Sequence, residues 1–118
     1  MTPDELKART KAFSLEIIRF VSGLPRTEVA RVIGRQLLRA GTAVGANYRA
    51  ACRARSSADF KAKLAIVEEE ADESLYWLEL LSEAGITTGK SLFILLKEAN
   101  ELVAIFTASR RTSRERNR

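Results

Sequence analysis

Residues 56–85 read SSADFKAKLAIVEEEADESLYWLELLSEAG, and the spacing within this stretch decides the fold class. Phe60, Leu64, Val67, Ala71, Ser74, Leu78 and Leu81 follow one another at steps of four and three, the a/d repeat of a helix packed along one seam. Ser56 with Asp59 three residues later marks a helix start, and Gly85 marks its end. The stretch is therefore predicted to be one long helix, continuing to Ala84.

Upstream, a second helix is predicted from Thr27 to about Ala54, with Val29, Ile33, Leu37, Ala40, Val44, Tyr48 and Ala51 facing inward. Gly34, Gly41 and Gly45 each weaken it by about 1 kcal/mol relative to Ala, the usual mark of a second backbone approaching closely. Before it, Thr2-Pro3-Asp4-Glu5 is a capping box with Pro at the first helical position. It opens a helix carrying Leu6, Phe13, Ile17, Phe20, Val21 and Leu24. Downstream, Thr87 or Thr88 is expected to cap a fourth helix with Leu92, Phe93, Leu96, Val103 and Phe106. No strand pattern competes. Four helices with short connections make an all-α, antiparallel up-down-up-down four-helix bundle over residues 1–108. Residues 109–118 hold five arginines and no large apolar side chain, and read as a basic, disordered tail.

The composition excludes much. The chain has 118 residues, 46% of them apolar, enough for one domain. Histidine is absent and Cys52 is the only cysteine, so there is no disulfide framework, no Cys/His zinc site and no His-based catalytic pair. The acidic run Glu68-Glu69-Glu70-Ala71-Asp72-Glu73 lacks the histidines that helical carboxylate metal sites use. It is read as partnering arginines, with no metal and no cofactor. Cys52 reads as a small buried filler, Tyr76 and Trp77 as core or interface anchors. An enzyme is not expected. No apolar run reaches the ~18–20 residues of a membrane span. The acidic opening residues are unlike a secretory signal, so a soluble, cytoplasmic protein is expected.

Charge carries the functional signal. The formal net charge is +5, but residues 26–63 hold nine bases and two acids, and residues 64–83 hold seven acids and no base. Arg35, Arg39, Thr42, Ala46, Arg49 and Arg53 form one stripe on helix two. The turn near residue 55 folds helix three back alongside it, which sets Arg39 beside Asp72 and Glu73 and Arg35 beside Tyr76 and Trp77. Arg39 with Glu73 is predicted to be a structural ion pair, and the upper arginines generally to face carboxylates. Near the turn, Arg49, Arg53, Arg55, Lys61 and Lys63 meet only Asp59. The up-down-up-down topology brings Lys7, Arg9, Lys11 and the tail, with Arg110 and Arg111, to the same end. The molecule is thus predicted to be polar along its long axis, with one basic end that suits nucleic-acid phosphates. Leu92-Phe93-Ile94-Leu95-Leu96 covers more of helix four than one core needs. That surplus predicts an oligomer or, alternatively, a protein-interaction scaffold docking through helix four with no nucleic-acid role.

Several segments carry a family resemblance: Gln36-Leu37-Leu38-Arg39-Ala40, Val44-Gly45-Ala46-Asn47-Tyr48, Arg55-Ser56-Ser57-Ala58-Asp59-Phe60 and Glu73-Ser74-Leu75-Tyr76-Trp77-Leu78-Glu79-Leu80-Leu81. Their order and spacing resemble the four-helix bundle proteins encoded by intervening sequences of bacterial 23S ribosomal RNA genes, relatives of the accessory protein of diversity-generating retroelements. The resemblance implies a ring-like homopentamer and a non-catalytic role near RNA. This chain departs from the family pattern at Gly45, where a Pro is common nearby, and at Arg49-Ala50-Ala51, which carries no acid.

Overall fold

The computed structural model describes residues 1–115, with side chains through Ser113. Four helices account for nearly all of it: α1 (Pro3–Ser22), α2 (Glu28–Cys52), α3 (Ser57–Glu83) and α4 (Lys90–Glu115). Three begin on hydroxyl caps. Thr2 Oγ1 accepts from the Glu5 amide at 3.1 Å, Thr27 Oγ1 from Ala30 at 3.2 Å and Ser56 Oγ from Asp59 at 3.0 Å. Each bond satisfies an amide that the helix itself leaves open. The fourth start differs from expectation, because neither Thr87 nor Thr88 caps it. Gly89 turns the chain at φ 115°, a backbone that suits glycine, and its carbonyl accepts the first helical bond from Phe93 at 3.2 Å.

The inward stripe of α3 is as predicted from Leu64 to Leu81, with Phe60 half-buried at its start. On α2 the stripe is Ala30, Gly34, Leu37, Ala40, Gly41, Val44, Tyr48 and Ala51. Val29, expected inside, is 56% exposed, because Ala30 and Gly34 hold the inner line and Val29 falls one residue off it. On α4 the buried line is Leu92, Leu95, Ala99, Leu102 and Phe106, stepping three, four, three, four. That line leaves Phe93 69% exposed, within the apolar run that is wider than one core needs.

The helices follow one another as antiparallel neighbours in a bundle 48 Å long and 22 × 20 Å across. The α1–α2, α2–α3 and α3–α4 seams are closely packed, and α1 against α4 is the loosest. Gly41 sets the α1–α2 approach. A Cβ there would lie 2.9 Å from both γ carbons of the buried Ile17. Ser14 bridges the same seam, its Oγ lying 3.1 Å from the Gly41 carbonyl and 3.2 Å from that of Thr10.

The tail expectation changes. Rather than becoming disordered after residue 108, α4 continues to Glu115. Ser109 Oγ donates to the Ile105 carbonyl at 2.8 Å, and Arg110 is held by Glu68 of α3. Arg116, Asn117 and Arg118 lie outside the described residues. No described helix is long and apolar enough to cross a membrane.

Candidate nucleic-acid interface

The close approach of α1 and α2 leaves a shallow groove of about 510 Å³ on their outer side, near the end that carries the α2–α3 turn. Its floor is small: Ala8, Ser14, Gly45 and Ala46. A Cβ on Gly45 would come within 3.2 Å of the Thr10 carbonyl oxygen, so the missing side chain lets the helices meet and keeps the groove floor flat. Its rim is cationic, with Lys7 and Lys11 from α1 facing Arg49 and Arg53 from α2, and no carboxylate lines it. Lys7 reaches the exposed Asp4 at 3.1 Å. Lys11, Arg49 and Arg53 have no acidic partner among the described residues. Arg53 is the C-terminal cap of α2, where helix carbonyls favour a cation.

The other predicted cations divide. Arg55 is exposed in the α2–α3 turn, and Lys61 is half-buried on α3 without an ion pair among the described residues. Lys63 is bound by Asp59 one turn earlier. That contact, helped by the Arg55 amide and charge, holds the Asp59 carboxyl below the usual carboxylate range. Arg111 is exposed on α4. Arg110, expected to be available at the same end, is instead engaged by Glu68, which also accepts from Thr107 Oγ1 at 3.1 Å. Hydrogen bonding to Arg110 lowers the Glu68 carboxyl against the opposing effect of burial. Arg9 is likewise consumed. Its Nε and Nη2 donate to the two oxygens of Glu98 at 2.8 and 2.6 Å, with Glu101 at 3.4 Å.

Arg39 locks α2 to α3 by donating to Glu73 at 2.5 Å and to Glu70 at 3.0 Å. Glu73 also accepts from Trp77 Nε1 at 3.2 Å. The Arg39 contact leads the causes that hold its carboxyl below the ordinary range. The arginines above Arg39 do not follow it. Arg26, Arg31 and Arg35 have no carboxylate partner among the described residues and line a second groove, of about 490 Å³, between the end of α1 and the start of α2. The positive charge is therefore not confined to one end, as expected, but extends up the α1–α2 side.

These pairs engage Glu68, Glu70 and Glu73 of the acidic run and leave the exposed Glu69 and Asp72 unpaired among the described residues. Among the described residues no group of three or more acidic or thiol side chains is arranged to hold a metal ion. Cys52 is half-buried beside Tyr48. Burial, before the Cys52 contact, pushes the Tyr48 hydroxyl well above its usual range. Tyr48 packs on Phe106 at 5.4 Å between ring centroids, and Tyr76 meets Trp77 edge-on at 5.1 Å.

An antiparallel four-helix bundle with one cation-lined side is the class these features define. Comparison with known families gives the narrower assignment: residues 5–108 match the 23S rRNA-intervening sequence proteins, and the chain belongs to that family. It is also similar to a crystallised protein of unknown function from the S23 ribosomal protein family of Bacteroides thetaiotaomicron VPI-5482. The two share 32% identity over 94% of this chain and 99% of that one, with a TM-score of 0.85. No curated protein matches.

Proposed function

We propose that this protein is a non-catalytic, self-associating helical bundle of the cytoplasm that binds a polynucleotide, RNA foremost, through its phosphates. The observation that carries this reading is the groove whose rim holds Lys7, Lys11, Arg49 and Arg53 and whose lining holds no carboxylate. Arg55, Lys61 and Arg111 extend the contact around the same end. Such a surface binds by neutralising phosphates and releasing counterions, which makes affinity steeply salt-dependent. With four phosphate contacts, raising salt from about 50 to 200 mM weakens binding on the order of a hundredfold. Filter binding of labelled RNA to wild type and to Arg49→Glu/Arg53→Glu tests this. The variant is expected to lose at least tenfold in affinity and to show a salt slope flatter by about two. Equal retention of RNA by both proteins, or binding indifferent to salt, overturns the reading.

Self-association rests on Phe93 and Ile94, 69% and 51% exposed. Ile94 borders a groove of about 440 Å³ between α1 and α4, along the loosest seam. Soluble monomers seldom leave such side chains together in water. The family resemblance favours a homopentamer, and light scattering is expected to return a multiple of 13.1 kDa. A mass of one chain overturns the assembly. The same exposed pair supports a second reading, a scaffold that docks another protein through α4. Docking through apolar contacts would persist at high salt.

A further inference from the structure

The α1–α2 side carries two cationic stations rather than one. The lower is the groove rimmed by Lys7, Lys11, Arg49 and Arg53, and the upper is the groove lined by Arg26, Arg31 and Arg35. The three upper arginines are exposed and lack a carboxylate partner among the described residues. The acids near this side are Asp4, taken up by Lys7, the exposed Glu28 in the first turn of α2, and Glu5 at the start of α1; Glu16, paired with Arg19, lines the α1–α4 groove instead. The stations share α2, a continuous helix, so their spacing follows from its rise. Arg35 and Arg49 are separated by about 21 Å along the axis, Arg31 and Arg53 by about 33 Å.

Between them α2 offers no unpaired cation among the described residues: Arg39, on the same stripe, is tied to Glu70 and Glu73 of α3. Leu38 and Thr42 are half-buried, and the Thr42 hydroxyl is turned back onto the Leu38 carbonyl at 2.7 Å. Ile18 of α1, 44% exposed, lies on the neighbouring helix. A single strand laid along this side would place its middle phosphates against a stretch with no free cation. A double helix presents its backbones differently. The strands cross one face at intervals set by the grooves, and readers of duplex RNA contact two successive minor grooves and the major-groove phosphates between them.

Resting on the polynucleotide reading above, we propose that the α1–α2 side binds a double-helical segment of about one turn, with one backbone crossing at each station and a groove over the middle, where no cation is free. Recognition is then by shape and phosphate position, the mode suited to duplex RNA, whose deep groove side chains do not read. The occupant is a duplex stem; an unpaired strand or a small anion would engage one station only.

Fluorescence anisotropy tests this with three labelled RNAs: a duplex of about 20 base pairs, a hairpin stem of about 6 base pairs, and a single strand as long as the longer duplex. Wild type is expected to prefer the long duplex and to show its steepest salt slope there. Arg31→Glu/Arg35→Glu is expected to weaken that complex at least tenfold and to flatten its slope by about two, down to the level of the short stem. Arg31→Gln/Arg35→Gln removes the same contacts without adding repulsion, and circular dichroism confirms that both variants stay helical. If the upper variants bind the long duplex like wild type while Arg49→Glu/Arg53→Glu loses it, the two-station inference falls and the phosphate-binding reading stands. Single-strand affinity equal to duplex affinity also overturns it. If wild type binds none of the three RNAs, both fall.

Discussion

Helices α1 and α2, residues 3–53, carry ten basic and four acidic residues, whereas residues 57–108, α3 with the body of α4, carry four and ten. The totals mirror each other, but their use does not. Five carboxylates of α3 and α4 capture cations across seams: Glu70 and Glu73 take Arg39, Glu98 and Glu101 take Arg9, and Glu68 takes Arg110. Those arginines serve the bundle. On the outer α1–α2 side Lys11, Arg49, Arg53, Arg26, Arg31 and Arg35 have no acidic partner among the described residues, and Lys7 meets only the exposed Asp4. Net charge of +5 therefore understates the surface. A polyanion meets the uncompensated side, not the average.

The largest way to break this contrast is to invert the open side, as Arg49→Glu/Arg53→Glu does. The next is to pry its two helices apart. Gly41→Ala adds a methyl group 2.9 Å from both γ carbons of Ile17, a fully buried, β-branched side chain with little rotamer freedom. Overpacking of this kind costs about 1–3 kcal/mol, and the better helix propensity of Ala returns about 1 kcal/mol. A net loss of up to about 2 kcal/mol is expected in urea unfolding. RNA affinity should fall as well, since Lys7 and Lys11 move away from Arg49 and Arg53. An unchanged or higher unfolding midpoint would show that the seam has slack and that glycine is not what sets the distance.

Most of the bundle is legible in the sequence. The four-three repeat of α3, the Thr2, Thr27 and Ser56 starts and the Arg39–Glu73 register all follow from spacing alone. The misreadings share a cause. Val29 lies next to Ala30, which also qualifies as inward, and only the packing of a neighbour decides which one turns in. Thr88 has a capping side chain, but the tight return from α3 needs the left-handed backbone of Gly89. The tail looked structureless because it lacks apolar residues, while its helix is held by an ion pair to α3 forty-two residues earlier. The site was half visible. Antiparallel register already set Arg35 opposite Tyr76 and Trp77 rather than a carboxylate, which is the signal that the upper arginines stay free. Counting acids over the whole helix hid it.

The finest test asks whether a cation on the paired side becomes a ligand contact once released. Arg110 stands near the basic end and is held by Glu68, so Glu68→Gln should free it. The expected gain is small, a salt slope steeper by about one and an affinity a few-fold higher. The same variant carries a signature in acid. Hydrogen bonding to Arg110 depresses the Glu68 carboxyl in the folded state, so its stabilising contribution is full above the ordinary carboxylate range, about 4.3. It is lost as pH falls through the lower folded value. Glutamine does not titrate, so thermal midpoints of Glu68→Gln between about pH 5 and 2 should fall less steeply than those of wild type. A shallower acid slope with no change in the RNA salt slope would mean that Arg110 only fastens α4 to α3. Changes in both would extend the binding surface around the end of the bundle and onto α4.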